Sequence, residues 1–233
     1  LDALKINLTI PGILFLDTPG HAAFNNLRKR GGNLADIAIL VIDITKGIEE
    51  QSIESINILK QYKTPFIIAA NKIDLVQGWQ KKDNFLIKNI NSQPESVKQV
   101  LDTKIYELVG KLSELGFNSE RFDRVDDYTK TVSIVPLSAK TGEGIPELLM
   151  VLSGLAQKYL EKNLEIDKNT NGKGTILEVK EEKAGTIIYS VLYDGTLKVN
   201  DQIVIGGVDE PIVTKVKSIS VPDERFKFKE TKE

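Results

Sequence analysis

Phe66-Ile67-Ile68-Ala69-Ala70 followed by Asn71-Lys72-Ile73-Asp74 is the stretch on which the fold turns. Five apolar residues run without polar alternation, as in a strand covered on both faces of a parallel sheet. The polar quartet that follows is then the loop at the C-terminal edge of that strand, where open α/β sheets hold their ligands. Working outward, the apolar runs Ile13-Leu14-Phe15-Leu16, Ile37 to Ile42 and Val132 to Leu137 have the same texture and predict further buried strands. Between them lie helix-patterned segments: Glu49 to Tyr62 with apolar Ile53, Ile56 and Leu59, and a long stretch from Ser96 to Leu115. A last helix, Ile145 to Leu160, puts Leu148, Leu149, Leu152, Leu155, Ala156 and Tyr159 on one stripe, with Pro146 tolerated in its first turn. Strand and helix alternating in this way predict an α/β domain with a mostly parallel sheet.

Beyond Leu164 the pattern changes. Lys162 to Lys173 is polar and rich in Asn and Lys, and short strand-like runs with turn residues follow: Thr175–Val179, Thr186–Tyr193, Gln202–Ile205 and Ile212–Ile219, with Asp194-Gly195 and Gly206-Gly207 between them. No helix-period segment interrupts them, which predicts an antiparallel β-barrel. The expected organisation is therefore an α/β domain over 1–164, a linker over 165–173 and a barrel over 174–233, with a frayed charged tail from Phe226 to Glu233.

The 233 residues are 41% hydrophobic and 27% charged with a net charge of −2, so a core can form and no global basic field recruits nucleic acid. Any RNA contact would come from a local patch. Cysteine is absent and histidine occurs once, which excludes a disulfide framework, a thiol nucleophile, a Cys-ligated zinc and a His-rich metal site. The apolar runs are too short to cross a bilayer, and no basic-then-apolar leader opens the chain, so no membrane partner and a cytoplasmic location are expected.

Three motifs carry chemistry. A carboxylate at Asp74 can accept from both N1–H and the N2 amino group of guanine, a pair of donors that adenine lacks. Sites built to pair a polar substrate edge reject analogues without it by roughly 10⁴-fold or more. Asn71 would tie neighbouring loops together and the Lys72 stem would lie over the base, with Ile73 between Lys72 and Asp74. An accidental polar turn is the alternative for this motif alone. Ser138-Ala139-Lys140 ends the next apolar run, where a backbone N–H from Ala139 can donate to the guanine carbonyl; a Ser-initiated loop before a helix is its bland counterpart. Two such motifs at successive strand ends reinforce each other. The third, Asp17-Thr18-Pro19-Gly20-His21, follows Leu16. Asp17 can hold a magnesium ion through water, and the Gly20 N–H can sense a γ-phosphate because glycine allows the close approach. His21 is the only histidine, and a lone histidine is usually structural; beside a phosphate sensor it can orient the attacking water.

Together these motifs resemble the G-domain motifs of translational GTPases. Residues 18–32, Thr-Pro-Gly-His-Ala-Ala-Phe-Asn-Asn-Leu-Arg-Lys-Arg-Gly-Gly, are similar to the initiation-factor branch: bacterial initiation factor two and archaeal/eukaryotic initiation factor 5B. The long segment Gln77 to Thr131, with residues 101–108 Leu-Asp-Thr-Lys-Ile-Tyr-Glu-Leu and the pairs Gly116-Phe117 and Phe122-Asp123, resembles the archaeal/eukaryotic proteins and points to an archaeal source. Residues 193–201, Tyr-Asp-Gly-Thr-Leu-Lys-Val-Asn-Asp, fit domain II of the same factors. The resemblance implies a P-loop-type GTPase fold followed by the barrel, GTP/GDP and Mg²⁺ as cofactors, and His21 as the catalytic residue. It implies a ribosome-dependent GTPase that joins the large subunit to the small subunit carrying initiator tRNA. It also implies other initiation factors as partners, with the factor a monomer off the ribosome. Arg28, Lys29 and Arg30 could then face ribosomal RNA, in a modest and salt-sensitive contact, or simply form a solvated helix face.

The chain also departs from that pattern. No Gly-x-x-x-x-Gly-Lys-[Ser/Thr] occurs in it, nor does the threonine-bearing switch expected before Asp17, nor the tRNA-gripping domain expected after the barrel. Leu1-Asp2-Ala3 looks like the helix after the phosphate-loop lysine, and Leu4–Pro11 like the strand entering Asp17; Lys183-Ala184-Gly185 is shorter than the barrel loop expected there. These junctions suggest omitted segments, and a chain inactive in hydrolysis as written. A truncated homologue, a ribosome-binding module that has lost catalysis, and another translational GTPase such as an elongation or selenocysteine-specific factor are the alternatives.

Overall fold

The computed structural model describes residues 10, 12–18, 35–160, 169–182, 185–207, 209–222 and 228–231. The chain divides into two compact units, Leu1–Leu164 and Glu165–Glu233.

In the first unit the stretch that opens the sequence reading is the central strand. β1 (Ala38–Asp43), β2 (Phe66–Asn71), β3 (Ser119–Arg121) and β4 (Val132–Pro136) form an all-parallel sheet in the order β1-β2-β4-β3. β2 is flanked on both sides, and its residues Phe66 to Ala70 are all buried, Ile67 and Ile68 completely. Full burial of an Ile side chain contributes about 1.5–3 kcal/mol, which is why this apolar run takes the middle of the sheet. Helices α1 (Glu50–Tyr62), α2 (Leu86–Ser92), α3 (Glu95–Glu114) and α4 (Ile145–Leu160) complete the unit. α3 buries Val97, Leu101, Ile105, Leu108 and Leu112, a regular helical stripe. α4 buries Leu148, Leu152, Leu155 and Ala156 as expected, and Val151 besides, whereas Leu149, expected on the same stripe, is only half-buried. The side chain of Tyr159 lies outside the described residues.

Register brings the functional loops to one edge. Asp43 pairs with Asn71 across β1 and β2, and Ala70 with Pro136 across β2 and β4. All three strands are parallel, so the segments after Asp43, Asn71 and Pro136 leave the sheet on the same side.

Two elements differ from the sequence expectation. Ile13 to Leu16 is not a strand: residues 12–18 have no regular structure, and Leu14 and Phe15 are 68% and 60% exposed. Apolarity makes a strand only where N–H and C=O groups find a ladder, and among the described residues none pairs with this segment. β3, conversely, is too short and too polar to be seen in sequence; parallel pairing with β4 makes it, with Arg121 opposite Ile134.

The second unit is antiparallel throughout its ladders. β5 (Lys173–Glu182) pairs with β6 (Gly185–Asp194), β7 (Gln202–Ile205) with β8 (Ile212–Lys215), and β9 (Ile219–Pro222) with β10 (Phe228–Thr231). β5 begins at Lys173, a residue assigned to the linker on composition. The tail expected to fray contains β10 instead, because four residues find ladder partners on β9. In the turn before β7, Gly195 has φ of 69°, and a Cβ there would stand 2.4 Å from the Asn171 carbonyl oxygen, so only glycine suits the position.

Candidate functional site

The polar edge is organised by Asn71. Its side-chain oxygen accepts from the Lys72 N–H at 2.8 Å and from the Ala139 N–H at 2.9 Å. Two backbone donors on Oδ1 fix the orientation of the carboxamide and leave its NH₂ group as a donor. The strand ends are stitched further by Ile44 N–H to the Asn71 carbonyl (3.0 Å), Leu137 N–H to Ala70 (2.9 Å) and Ile73 N–H to Leu137 (3.2 Å). Asn71–Asp74 and Ser138–Lys140 are thus brought together by direct bonds.

Lys72 sits in the left-handed region at φ 72° and starts the 3₁₀ turn Ile73–Leu75. Its Nζ donates to Asp43 Oδ2 at 2.7 Å, and Asp43 also accepts from the Thr45 N–H (2.9 Å) and hydroxyl (2.6 Å). Burial pushes the Asp43 carboxyl upward, but the bonds from Lys72 and Thr45 and the Lys72 charge outweigh it and hold the group at about 2. The Lys72 ammonium is held above its usual range, first by its bond to Asp43 and then by that carboxylate's charge. Ile73 is fully buried, an anchor that points the polar residues around it outward. Asp74 is half-buried, and among the described residues nothing donates to its carboxylate.

The second loop is a closed turn. Ser138 Oγ accepts from the Thr141 N–H at 3.2 Å, its carbonyl accepts from Gly142 at 2.8 Å, and its N–H donates to the Glu143 carbonyl at 2.9 Å. Ser138 is fully buried, whereas Ala139 and Lys140 are exposed at the tip. The Ala139 N–H, expected from sequence to face a ligand, is engaged with Asn71; the adjacent Lys140 N–H is a further donor on the same tip.

Asp17 and Thr18 are exposed and make no hydrogen bond to either loop among the described residues. Pro19, Gly20, His21, Arg28, Lys29 and Arg30 lie outside the described residues. Residues 2–158 match the family model of the elongation factor Tu GTP binding domain. The chain belongs to that family. Its similar relatives are named as initiation factors. It is 57% identical over 220 residues to the probable translation initiation factor IF-2 of Methanothrix thermoacetophila, covering 94% of this chain and 36% of the relative. The protein of the same name in Methanocella arvoryzae is 55% identical over 218 residues, covering 93% and 37%. The crystal structure of GDP-bound aIF5B from Aeropyrum pernix superposes with a TM-score of 0.87 at 46% identity, over 97% of this chain and 39% of that one. The chain therefore spans little more than a third of the length of these relatives. The apo structure of elongation factor SelB from Methanococcus maripaludis is more distant, with a TM-score of 0.52 at 26% identity over 87% of this chain and 37% of that one.

Sequence reasoning missed several residues of this polar edge. Asp43 and Thr45 end an apolar run with nothing to mark them, and Asp43's role becomes visible only when β1 and β2 pair. Glu143 carried a faint signal, a carboxylate between two glycines in Thr141-Gly142-Glu143-Gly144. Trp79 and Asn89, which contact it, lie more than 50 residues away in sequence. No helix among the described residues is long and apolar enough to cross a membrane.

Proposed function

We propose that this chain is the guanine-binding part of a ribosome-dependent GTPase that acts in translation initiation, joining the ribosomal subunits in the presence of initiator tRNA. The observation that carries this reading is the Asn71 side chain bonding both loops while the Asp74 carboxylate beside it stays open to a ligand. It is supported by the initiation factors the chain resembles and by the GDP in the related aIF5B structure. In this reading Asp74 accepts from N1–H and N2 of guanine, the Asn71 NH₂ group meets the ring nitrogen N7, and, with the Ala139 N–H bound to Asn71, the Lys140 N–H faces the base carbonyl. The Lys72 stem, held down by Asp43, covers the base plane.

The phosphate side rests on Asp17, Thr18, Pro19 and Gly20, with His21 as the catalytic residue that orients water. Asp17 fits an Mg²⁺ contact through water, since its carboxylate is exposed, and magnesium draws most of its ligands from water and phosphate. When bound, the ion would neutralise phosphate charge. Arg28, Lys29 and Arg30 would face ribosomal RNA. Residues 1–164 would be the GTP-binding domain, 165–173 a linker and 174–233 a β-barrel domain. Initiator tRNA and other initiation factors would be reached through parts of the polypeptide outside these residues. The protein would work in the cytoplasm, as a monomer off the ribosome.

The test is Asp74→Asn in the full-length polypeptide. An amide presents a donor to the N2 amino group of guanine and prefers the carbonyl of xanthine. GDP affinity should fall by at least about 100-fold and xanthosine diphosphate affinity should rise. Unchanged GDP affinity would remove the assignment.

A further inference from the structure

Glu143 is a buried carboxylate with three side-chain donors on it. It is 2% exposed, directly behind the Ser138–Lys140 tip. Its Oε2 accepts from the Thr141 hydroxyl at 2.6 Å; its Oε1 accepts from the indole N–H of Trp79 at 3.2 Å and from the Asn89 amide. A carboxylate so deeply buried is tolerated only when its oxygens are satisfied in this way, so its position is over-determined. Its own carbonyl receives the Ser138 N–H, which ties the carboxylate's backbone to the first residue of the turn.

The two donors on Oε1 come from the segment between β2 and α3, and that segment is itself rigidly cross-bonded. Gln93 exchanges hydrogen bonds with the backbone of Gln80 at 3.2 and 2.5 Å, and Asn89 Oδ1 accepts from the Lys82 N–H at 2.8 Å. Lys81 Nζ also reaches the Thr141 carbonyl at 3.0 Å. This segment thus grips the turn from behind at Glu143 and at Thr141, while the tip remains exposed on the other side.

We infer that Glu143 is a positioning residue: through Trp79 and Asn89 it uses the segment between β2 and α3 to hold the Ser138–Lys140 turn so that the Lys140 N–H meets the guanine carbonyl. This rests on the guanine reading proposed above. A hydrogen bond is worth most when its donor is held in place before the ligand arrives. Loss of Glu143 frees the turn and should weaken the bond to O6 selectively, leaving Asp74, in the 3₁₀ turn anchored by buried Ile73, to read the opposite edge as before.

The experiment measures equilibrium affinities of the full-length polypeptide for three probes. GDP carries every feature; inosine diphosphate lacks the N2 amino group; 6-thioguanosine diphosphate replaces O6 by a poor sulfur acceptor. Wild type should prefer GDP over both analogues by about tenfold or more. In Glu143→Ala the preference over the thio analogue should fall below about threefold, with the preference over inosine diphosphate retained. Glu143→Gln keeps an acceptor for Trp79 and Asn89 and should hold the thio preference within about twofold of wild type. Trp79→Phe removes one donor and should lower it about twofold to threefold, which decides the matter if Glu143→Ala does not fold. Affinities for all three probes falling in proportion would mean a merely structural residue and would overturn the inference, as would no thio preference in wild type. Wild type indifferent to the N2 amino group would instead overturn the guanine reading itself.

Discussion

Gly144→Ala is the substitution whose cost is most directly written in the coordinates. Gly142 and Gly144 flank Glu143 and both occupy the left-handed region, at φ 79° and 76°. That conformation alone costs an L-residue about 1–2 kcal/mol, partly offset because alanine also restricts the unfolded chain. The surroundings separate the two sites. A Cβ on Gly142 meets nothing within 4 Å, whereas one on Gly144 would lie 2.2 Å from the Pro136 carbonyl oxygen, 2.7 Å from Leu137 Cβ and 2.9 Å from Leu137 Cα. Those atoms end β4 and are backbone or nearly so, so relief requires the start of α4 to move about 1 Å away from the sheet. Overpacking a close-packed site costs about 1–3 kcal/mol. Gly144→Ala should therefore destabilise the first unit by about 2–4 kcal/mol and Gly142→Ala by about 1 kcal/mol. The assay is urea unfolding followed by fluorescence of Trp79, the only tryptophan, which sits against this turn and reports the first unit alone. Equal destabilisation by the two substitutions would show that the turn yields freely and would refute the collision argument.

Further expectations concern charge and catalysis. Because Asp43 is held at about 2 against an ordinary 3.8, its contribution is present above about pH 4 and lost as pH falls through 2. The shift corresponds to about 2 kcal/mol, reduced toward about 1 because its partner Lys72 is half exposed. Stability curves of wild type and Asp43→Asn should accordingly converge between pH 4 and pH 2; a gap independent of pH would show that the carboxylate is not acting through its charge. His21→Ala in the full-length polypeptide should slow single-turnover GTP hydrolysis on ribosomes by roughly 10²-fold with GTP affinity nearly unchanged, since water positioning acts in the transition state. Hydrolysis within about threefold of wild type at saturating GTP, under about 0.7 kcal/mol in barrier, would rule out that role.

Much of the polar edge is legible one residue at a time. The run Phe66 to Ala70 declares a strand covered on both faces, and the Asn71–Asp74 quartet declares a loop at its end, because burial and turn chemistry are local properties of residue type. The stripes of α3 and α4 follow from helical spacing for the same reason. Short range is also the limit of that legibility. Ile13 to Leu16 has the composition of a strand without a described ladder partner, and Ser119 to Arg121 is a strand without the composition, since pairing depends on a neighbour that sequence does not name. The pairing of Asp43 with Lys72 and the engagement of the Ala139 N–H by Asn71 depend on register between strands far apart in the chain. Glu143 shows the division most clearly. Its glycine neighbours hint at a tight turn, but the donors on Oε1 come from Trp79 and Asn89, brought to it only when the segment between β2 and α3 folds back against the turn. Local chemistry thus determined which side chains bring donors and acceptors to this edge. The tertiary structure decided which of them are held still, because a buried charge finds its partners wherever the packed chain delivers them.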